Sequence, residues 1–310
     1  MADDDWRTIG LDRGDHNLRV DLVLLRHLRD EKRVSRNQIQ KWIDAGDVLV
    51  NDAVPPRAAW RIQAGDTLRV RLAEVPKRER PRAEAIPIDV LYEDDDLLAV
   101  NKPAGLVVHP SYKNTNGTLM NGLLTYAHAW PAGSAPGLLG RLDKLTSGVL
   151  IVTKRAEIQT ALQRAMAARR IDKDYLAIVR GKPAPARGTI DLALDRDPWD
   201  RRRITVTDRG GQPSVTRYER VSTANGFSLV RCRLITGRTH QIRVHLSAKQ
   251  WPIVGDAVYG GAAAEPKFPR QALHSWRIAL RQPKTGRELV IEAPLPDDMR
   301  ALAAEVGLTL

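Results

Sequence analysis

The 310-residue sequence predicts a mixed α/β (α+β) protein in two parts, a small basic module followed by a larger strand-rich domain. Three observations carry this expectation. Short apolar runs bounded by Gly, Pro and Asp alternate irregularly with segments of helical periodicity. The stretch Glu74-Val75-Pro76-Lys77-Arg78-Glu79-Arg80-Pro81-Arg82 is charged and proline-punctuated, and it reads as an exposed linker. With 43% hydrophobic residues, the chain has enough apolar side chains for packed cores on both sides of that linker. The expected boundaries are therefore 18–74 for the module, 75–86 for the linker and 87–310 for the larger domain.

Charge narrows the partner. Lys and Arg number 49 against 37 Asp and Glu, a net charge of +12, which favours a polyanion and nucleic acid first. A membrane partner is not expected, because no apolar run approaches the roughly 18 residues of a spanning helix. The opening Met1-Ala2-Asp3-Asp4-Asp5 is acidic and lacks the apolar core of a secretory signal, so the cytoplasm is the expected compartment. Cys232 is the single cysteine and falls in a strand pattern, which points to a buried structural thiol.

In the first module, Val20, Leu22, Val23, Leu24, Leu25 and Leu28 mark one helix. Ser35-Arg36-Asn37-Gln38 is a capping box that opens a second, burying Ile39, Trp42 and Ile43 and stopping near Gly46. Its wet side pairs Arg36 with Gln40 and Asn37 with Lys41, either an RNA-binding face or simply a solvated one. Val48-Leu49-Val50 and Thr67-Leu68-Arg69-Val70-Arg71 read as short strands. In this order and spacing, Ser35 to Ile43, Gly46 to Asn51 and Ala64-Gly65-Asp66 resemble an S4 domain, which implies RNA binding through Arg36, Gln40 and Lys41.

The larger domain opens with a strand at Ile88–Tyr92, an acidic turn Glu93-Asp94-Asp95-Asp96 expected to be solvated, and a strand at Leu97–Asn101. Lys102-Pro103-Ala104-Gly105 breaks the pattern, and Leu106 to Pro110 continues extended. Gly140-Arg141-Leu142-Asp143-Lys144-Leu145-Thr146-Ser147-Gly148 follows, a charged turn between glycines that runs into the buried strand Val149–Val152. Asp143 is its only acid, and the flanking cations Arg141 and Lys144 favour the carboxylate, which could act as nucleophile or base. The alternative is an Asx turn in which its side chain accepts from Thr146 or Ser147.

Ile158, Ala161, Leu162, Ala165 and Met166 mark a helix with Arg169 and Arg170 expected in its last turn. Tyr175 stands at the mouth of a strand that ends at Gly181, as a core-edge aromatic or a functional group. Asp195 to Arg203, with the run Arg201-Arg202-Arg203, reads as a polar loop before strand-like Ile204-Thr205-Val206, either an RNA-backbone contact or a flexible solvated loop. Val230, Cys232 and Leu234 alternate with arginines as a strand. Thr236 or Thr239 is then expected to cap a helix that puts Arg243 on the face of Thr239 and His240. HExxH, the Walker P-loop and GxGxxG are all absent, so neither a zinc helix nor a nucleotide cofactor is expected.

Three blocks, the Asp143 turn, the Tyr175 strand and Gly237-Arg238-Thr239-His240-Gln241-Ile242-Arg243-Val244-His245-Leu246, together resemble the RluA-type family of pseudouridine synthases. Supporting blocks are Leu91 to Asp96, Asn101 to Pro110, Pro252 to Asp256 and Tyr259-Gly260. With the S4-like module in front, the likeness is to the RluD-like branch, which acts on large-subunit (23S) rRNA. The residue before Arg141-Leu142-Asp143 is usually histidine in RluA-type enzymes and here is Gly140, as in RsuA-type ones.

The resemblance implies a mostly antiparallel mixed sheet flanked by helices; the isomerisation needs no metal or cofactor, and a monomer is expected. It implies that Asp143 is the essential acid, acting on the uracil ring, the ribose carbon or a ribose proton. Tyr175 would stack under the base and help proton transfer at C5, and Arg243 would pair with Asp143. Arg141 would take the place of the extruded base, with Arg238 and His240 also contacting RNA. Two rival readings remain open in the sequence, a non-catalytic RNA-binding or ribosome-assembly factor and a synthase acting on tRNA.

Overall fold

The structure, a computed structural model, describes residues 6–31, 34–72, 81–110, 114–200, 202–260 and 266–310. It divides into two compact units, Met1–Arg80 and Pro81–Leu310.

The first unit contains β1 (Trp6–Ile9), α1 (Val20–His27), α2 (Arg36–Asp44), β2 (Val48–Val50) and β3 (Leu68–Arg71). Its strands form an antiparallel sheet in the order β1-β3-β2. Val20, Val23 and Leu24 of α1 and Ile39, Trp42 and Ile43 of α2 lie at helical spacing and are buried in one core with Val48, Leu68 and Val70. Ser35 caps α2 by accepting from the Gln38 backbone at 3.3 Å. The second half of the expected capping box does not form, because the half-buried Gln38 side chain does not return a bond to Ser35. Arg36, Gln40 and Lys41 are exposed, with Arg36 donating to Asp21 at 3.2 Å and Gln40 to Asp44 at 2.8 Å.

Of the stretch read as a linker, residues 75–80 lie outside the described residues. Residues 81–86 have no regular secondary structure but are fixed to the second unit. The Arg82 carbonyl accepts from Asn121 Nδ2 at 2.7 Å, and the Glu84 N–H donates to the Asn121 carbonyl at 3.0 Å.

The second unit is mixed α/β. Its elements are β4 (Val90–Glu93), β5 (Leu97–Lys102), α3 (Leu119–Tyr126), β6 (Gly137–Leu138), β7 (Ser147–Thr153), α4 (Ala156–Ala167), β8 (Asp172–Arg180), β9 (Arg187–Asp191), β10 (Leu194–Arg196), β11 (Ile204–Val206), β12 (Val215–Ala224), β13 (Phe227–Leu234), α5 (Gln241–Ala248), β14 (Leu273–Arg281), β15 (Glu288–Glu292) and α6 (Asp297–Glu305). One large sheet runs β4-β5-β7-β14-β8-β13-β12-β9, with β6 added to β7 and β15 to β14. Every pairing in it is antiparallel except β7 with β14, where Ser147 faces His274 and Gly148 faces Ser275.

The unbroken apolar runs of β5 and β7 follow from burial on both faces. Leu98, Val100, Leu150 and Val152 enter one core with Tyr175 and Cys232, while Leu97, Ala99, Val149 and Ile151 enter the other with Ile158 and Leu162 of α4. Cys232 is fully buried, and burial pushes its thiol up to about 12. At Gly148, φ is +110° and a Cβ would lie 2.1 Å from the Ser275 carbonyl oxygen, so only glycine permits the close approach of β7 and β14.

Three local expectations are corrected. The acidic turn is not merely solvated, because Asp96 is buried and accepts from Lys284 at 2.7 Å and Gln282 at 3.0 Å, while Glu93 pairs with Lys154 at 2.7 Å. Arg169 and Arg170 fall beyond α4, which ends at Ala167, since Arg169 takes a left-handed φ of +57° that terminates the helix. The polar loop after Asp195 is the tip of a hairpin, in which β10 pairs with β11 from Leu194↔Val206 to Arg196↔Ile204. Arg201 of its arginine run lies outside the described residues.

Candidate active site

The turn carrying Asp143 is closed by its backbone. Thr146 N donates to the Asp143 carbonyl at 3.0 Å, so the carboxylate is not spent on an Asx turn. Gly140 enters the turn at φ +90°.

Side chains from outside the turn hold it still. The fully buried Lys102 donates from Nζ to the carbonyls of Pro103 at 2.7 Å, Leu106 at 2.9 Å and Lys144 at 3.1 Å, three acceptors for the three hydrogens of an ammonium. Burial, with the charge of Arg270 adding to it, draws Lys102 down to about 7. Arg270 donates to the Leu145 carbonyl at 3.3 Å and Gln271 to Thr146 Oγ1 at 3.2 Å, and Ser147 Oγ meets His274 Nδ1 at 2.9 Å.

Facing the turn is the start of α5. Neither expected threonine caps it. Thr236 Oγ1 is already engaged, accepting from Val215 N at 2.8 Å and donating to Gln241 Oε1 at 2.8 Å, and the N-cap is His240 in a left-handed conformation, φ +56°. His240 and Arg243, one turn apart, both point at Asp143. Arg243 Nη1 donates to Asp143 Oδ2 at 3.0 Å, and His240 Nε2 lies 3.9 Å from Asp143 Oδ1.

Arg243 is buried and fixed from behind. Its Nε and Nη2 form a bidentate pair with Asp256 at 2.7 and 2.9 Å, and its guanidinium lies 5.0 Å from the Tyr259 ring centroid. Burial opposes its charge, but hydrogen bonding and attraction from Asp256, then Asp143, outweigh that and raise its pKa. Asp256 Oδ1 also accepts the backbone N–H groups of Val258 at 3.0 Å and Tyr259 at 3.2 Å, so this carboxylate is immobilised. The Tyr259 hydroxyl bonds His240 Nδ1 at 2.8 Å, and burial lowers the pKa of His240, which is therefore neutral at pH 7.

Asp143, His240 and Arg243, but not Asp256 or Tyr259, line a cavity of about 440 Å³, within the usual range for a small-molecule site. Asp143, Tyr175, His240 and Arg243 face it together, with Arg141 and Arg238 exposed at its edge and Lys173 and Arg169 also contributing. Tyr175, on β8, is 8% exposed. Burial pushes its phenol up to about 12, a hydrogen bond with Ser275 works against the shift, and Asp143 adds to it. Arg36, Gln40 and Lys41 belong to the other unit, on the exposed face of α2. The reading of the sequence assigned no role to Asp256, Tyr259 or Lys102. The one available signal was an acid directly after Gly255 and three residues before Tyr259, inside a block already singled out.

A model of the RNA pseudouridylate synthase family matches residues 96–248, a span that contains Asp143, Tyr175, His240 and Arg243. A Nitrosomonas europaea protein named ribosomal large subunit pseudouridine synthase D is 40% identical over 292 residues, which cover 92% of this chain and 83% of the relative. A Bacillus subtilis RNA pseudouridine synthase, YlyB, is 40% identical over 271 residues, covering 86% of this chain and 88% of its own. The solved structure of human RNA pseudouridylate synthase domain containing 4 matches with a TM-score of 0.60 at 25% identity, over 72% of this chain and 94% of that one. Sequence similarity over nearly the whole length, together with a site of this geometry inside the matched span, shows that the chain belongs to the RNA pseudouridylate synthase family.

Proposed function

We propose that this enzyme isomerises uridine to pseudouridine in large-subunit ribosomal RNA, with Asp143 as the essential acid. The observation that carries the reading is the Asp143 carboxylate in the cavity, tethered by Arg243, which Asp256 clamps from behind. Arg243 bonds Oδ2, so Oδ1 is the oxygen left to act on the substrate. The substrate class is supported by the name of the Nitrosomonas europaea relative.

The reaction breaks the bond from N1 to the ribose and makes one from C5, and a proton leaves C5 while N1 gains one. It conserves atoms and electrons, so the proposal invokes no metal, redox group or external donor. The base must first leave its stack, at a cost of a few kcal/mol. Arg141 fills the space it vacates, Tyr175 stacks under it, and Arg238 and His240 hold its surroundings. With its phenol raised to about 12, Tyr175 works as a neutral hydroxyl beside C5. We read residues 18–74 as an S4-like RNA-binding domain that contacts the RNA through Arg36, Gln40 and Lys41, and the enzyme as a cytoplasmic monomer.

Conversion of uridine in unmodified ribosomal and transfer RNA transcripts, mapped by position for wild type beside Asp143→Asn, tests the reading. Site-specific product in large-subunit RNA that disappears in the variant, with RNA binding retained, is expected. Product in tRNA alone overturns the substrate, and full activity of Asp143→Asn overturns the assignment of the acid.

A further inference from the structure

The hairpin β10–β11 plays no part in the site described so far. At its tip Trp199 is 95% exposed, the most exposed large apolar side chain among the described residues. An indole is the largest apolar surface a side chain can bury, and its polar N–H edge suits it to contacts that are wet on one side.

The loop is built to keep it there. The Asp197 carboxylate accepts from Trp199 N at 2.9 Å and Asp200 N at 3.2 Å, and Arg203 N donates to the Asp200 carbonyl at 2.8 Å. Arg202 clamps Asp200 through Nε at 2.9 Å and Nη2 at 2.8 Å. Trp199 is thus carried on a hydrogen-bonded backbone, and Arg196, Arg202 and Arg203 near it in sequence are all exposed.

The base of the hairpin is rooted in the active site. Ile204 and Val206 pack with Val244 of α5 and with Tyr259, and Ile204 N donates to the Tyr259 hydroxyl at 3.0 Å. That same hydroxyl bonds His240, which borders Asp143. Trp199 is five residues before Ile204, so the two Cα atoms are at most about 18 Å apart, a reach of a few nucleotides.

We propose that Trp199 is a stacking platform for an unpaired base of the substrate RNA, a few nucleotides from the uridine that enters the cavity. Arg196, Arg202 and Arg203 hold the backbone on either side of that base. Positive charge around an exposed ring is the combination that binds single-stranded nucleic acid. The inference rests on an RNA substrate and holds for either ribosomal or transfer RNA.

The test uses full-length wild type, Trp199→Ala and Trp199→Phe, with equilibrium binding to both RNA transcripts and single-turnover conversion on whichever one wild type modifies. Trp199→Ala should weaken binding roughly 5- to 150-fold, the range covered by loss of one base–aromatic stack, with its rate at saturating RNA unchanged. Trp199→Phe should keep most of the affinity, and tryptophan fluorescence quenched by RNA in wild type should be quenched less in this variant. Wild-type affinity of Trp199→Ala for both transcripts overturns the proposal. So does self-association of wild type that Trp199→Ala abolishes while its RNA affinity is unchanged, because Trp199 is then a contact between copies. Failure of wild type to modify large-subunit RNA overturns the substrate reading alone, because the binding comparison does not depend on turnover.

Discussion

Asp256→Asn should slow uridine conversion without weakening RNA binding. Asp256 is 1% exposed and takes Arg243 Nε at 2.7 Å and Nη2 at 2.9 Å, while its Oδ1 also caps two backbone N–H groups. An amide of the same shape keeps its oxygen at the Oδ1 position, where three donors converge. Its nitrogen then replaces Oδ2 and sets N–H against Arg243 Nε. One charge-assisted hydrogen bond is lost, at about 1.5–3 kcal/mol, and two donors are left facing each other. Asp143 becomes the one remaining carboxylate on the guanidinium, so Arg243 turns toward it and shifts the reacting oxygen, and displacement by ~1 Å costs about 100-fold in rate. The expected result is a stability loss of about 2–3 kcal/mol in urea denaturation and a roughly 10- to 100-fold slower conversion at saturating RNA. Asp96→Asn is the control. That residue is 3% exposed and bonded by Lys284 and Gln282 outside the cavity lining, so its loss should cost similar stability and leave the rate alone. A wild-type rate for Asp256→Asn at saturating RNA refutes a positioning role. A loss no larger than that of Asp96→Asn reduces the effect to stability.

Acid should weaken the fold through His274, which is fully buried between Ser147 Oγ and the Ala293 carbonyl and which burial draws down to about 4 from an ordinary 6.5. The unfolded chain takes up the proton first, so stability falls as pH drops from 6.5 to 4, by up to about 3 kcal/mol. Urea denaturation across that range should show His274→Gln losing less than wild type by this amount, and equal losses exclude His274 as the titrating group. Tyr175→Phe keeps the ring and removes the hydroxyl, so it should bind RNA normally and convert about 100-fold more slowly or worse, whereas Tyr175→Leu should also bind more weakly. A wild-type rate for the Phe variant in single-turnover assays removes the hydroxyl from the chemistry. Gly148→Ala sets a methyl group against the Ser275 carbonyl and should cost about 3 kcal/mol or more in thermal or urea denaturation. A near-native Tm would show that β7 and β14 can separate cheaply.

What could be read from the sequence was what local pattern reports. The runs Leu97–Val100 and Val149–Val152 have no polar face, and a strand buried on both sides has none to show. Ile39, Trp42 and Ile43 announced the buried side of α2, and the charged, glycine-bounded turn announced Asp143. The rest depended on partners distant in sequence. Lys102 looks like a break in a strand, and only the carbonyl of Lys144 and two nearer ones make its burial tolerable. Asp96 looked solvated until Gln282 and Lys284, nearly two hundred residues on, reached it. Strand β1 offers only Trp6 and Ile9 as apolar signals and exists because β3 pairs with it. The left-handed His240 violates the preference for a threonine cap, since its Nδ1 is held by Tyr259 and Thr236 is committed to β12.

The layering of charge in the cavity sorts a nucleotide by its two ends. Inside, the Asp143 carboxylate is paired with Arg243, which Asp256 holds from behind, and the half-buried Lys173 lies on the same wall, whereas Arg141, Arg169 and Arg238 stand exposed at the edge. A phosphate driven inward meets the Asp143 carboxylate, while a neutral uracil, which carries an N–H donor, does not suffer that repulsion. The exposed arginines at the edge thus favour holding the sugar–phosphate chain at the rim while the base goes in first.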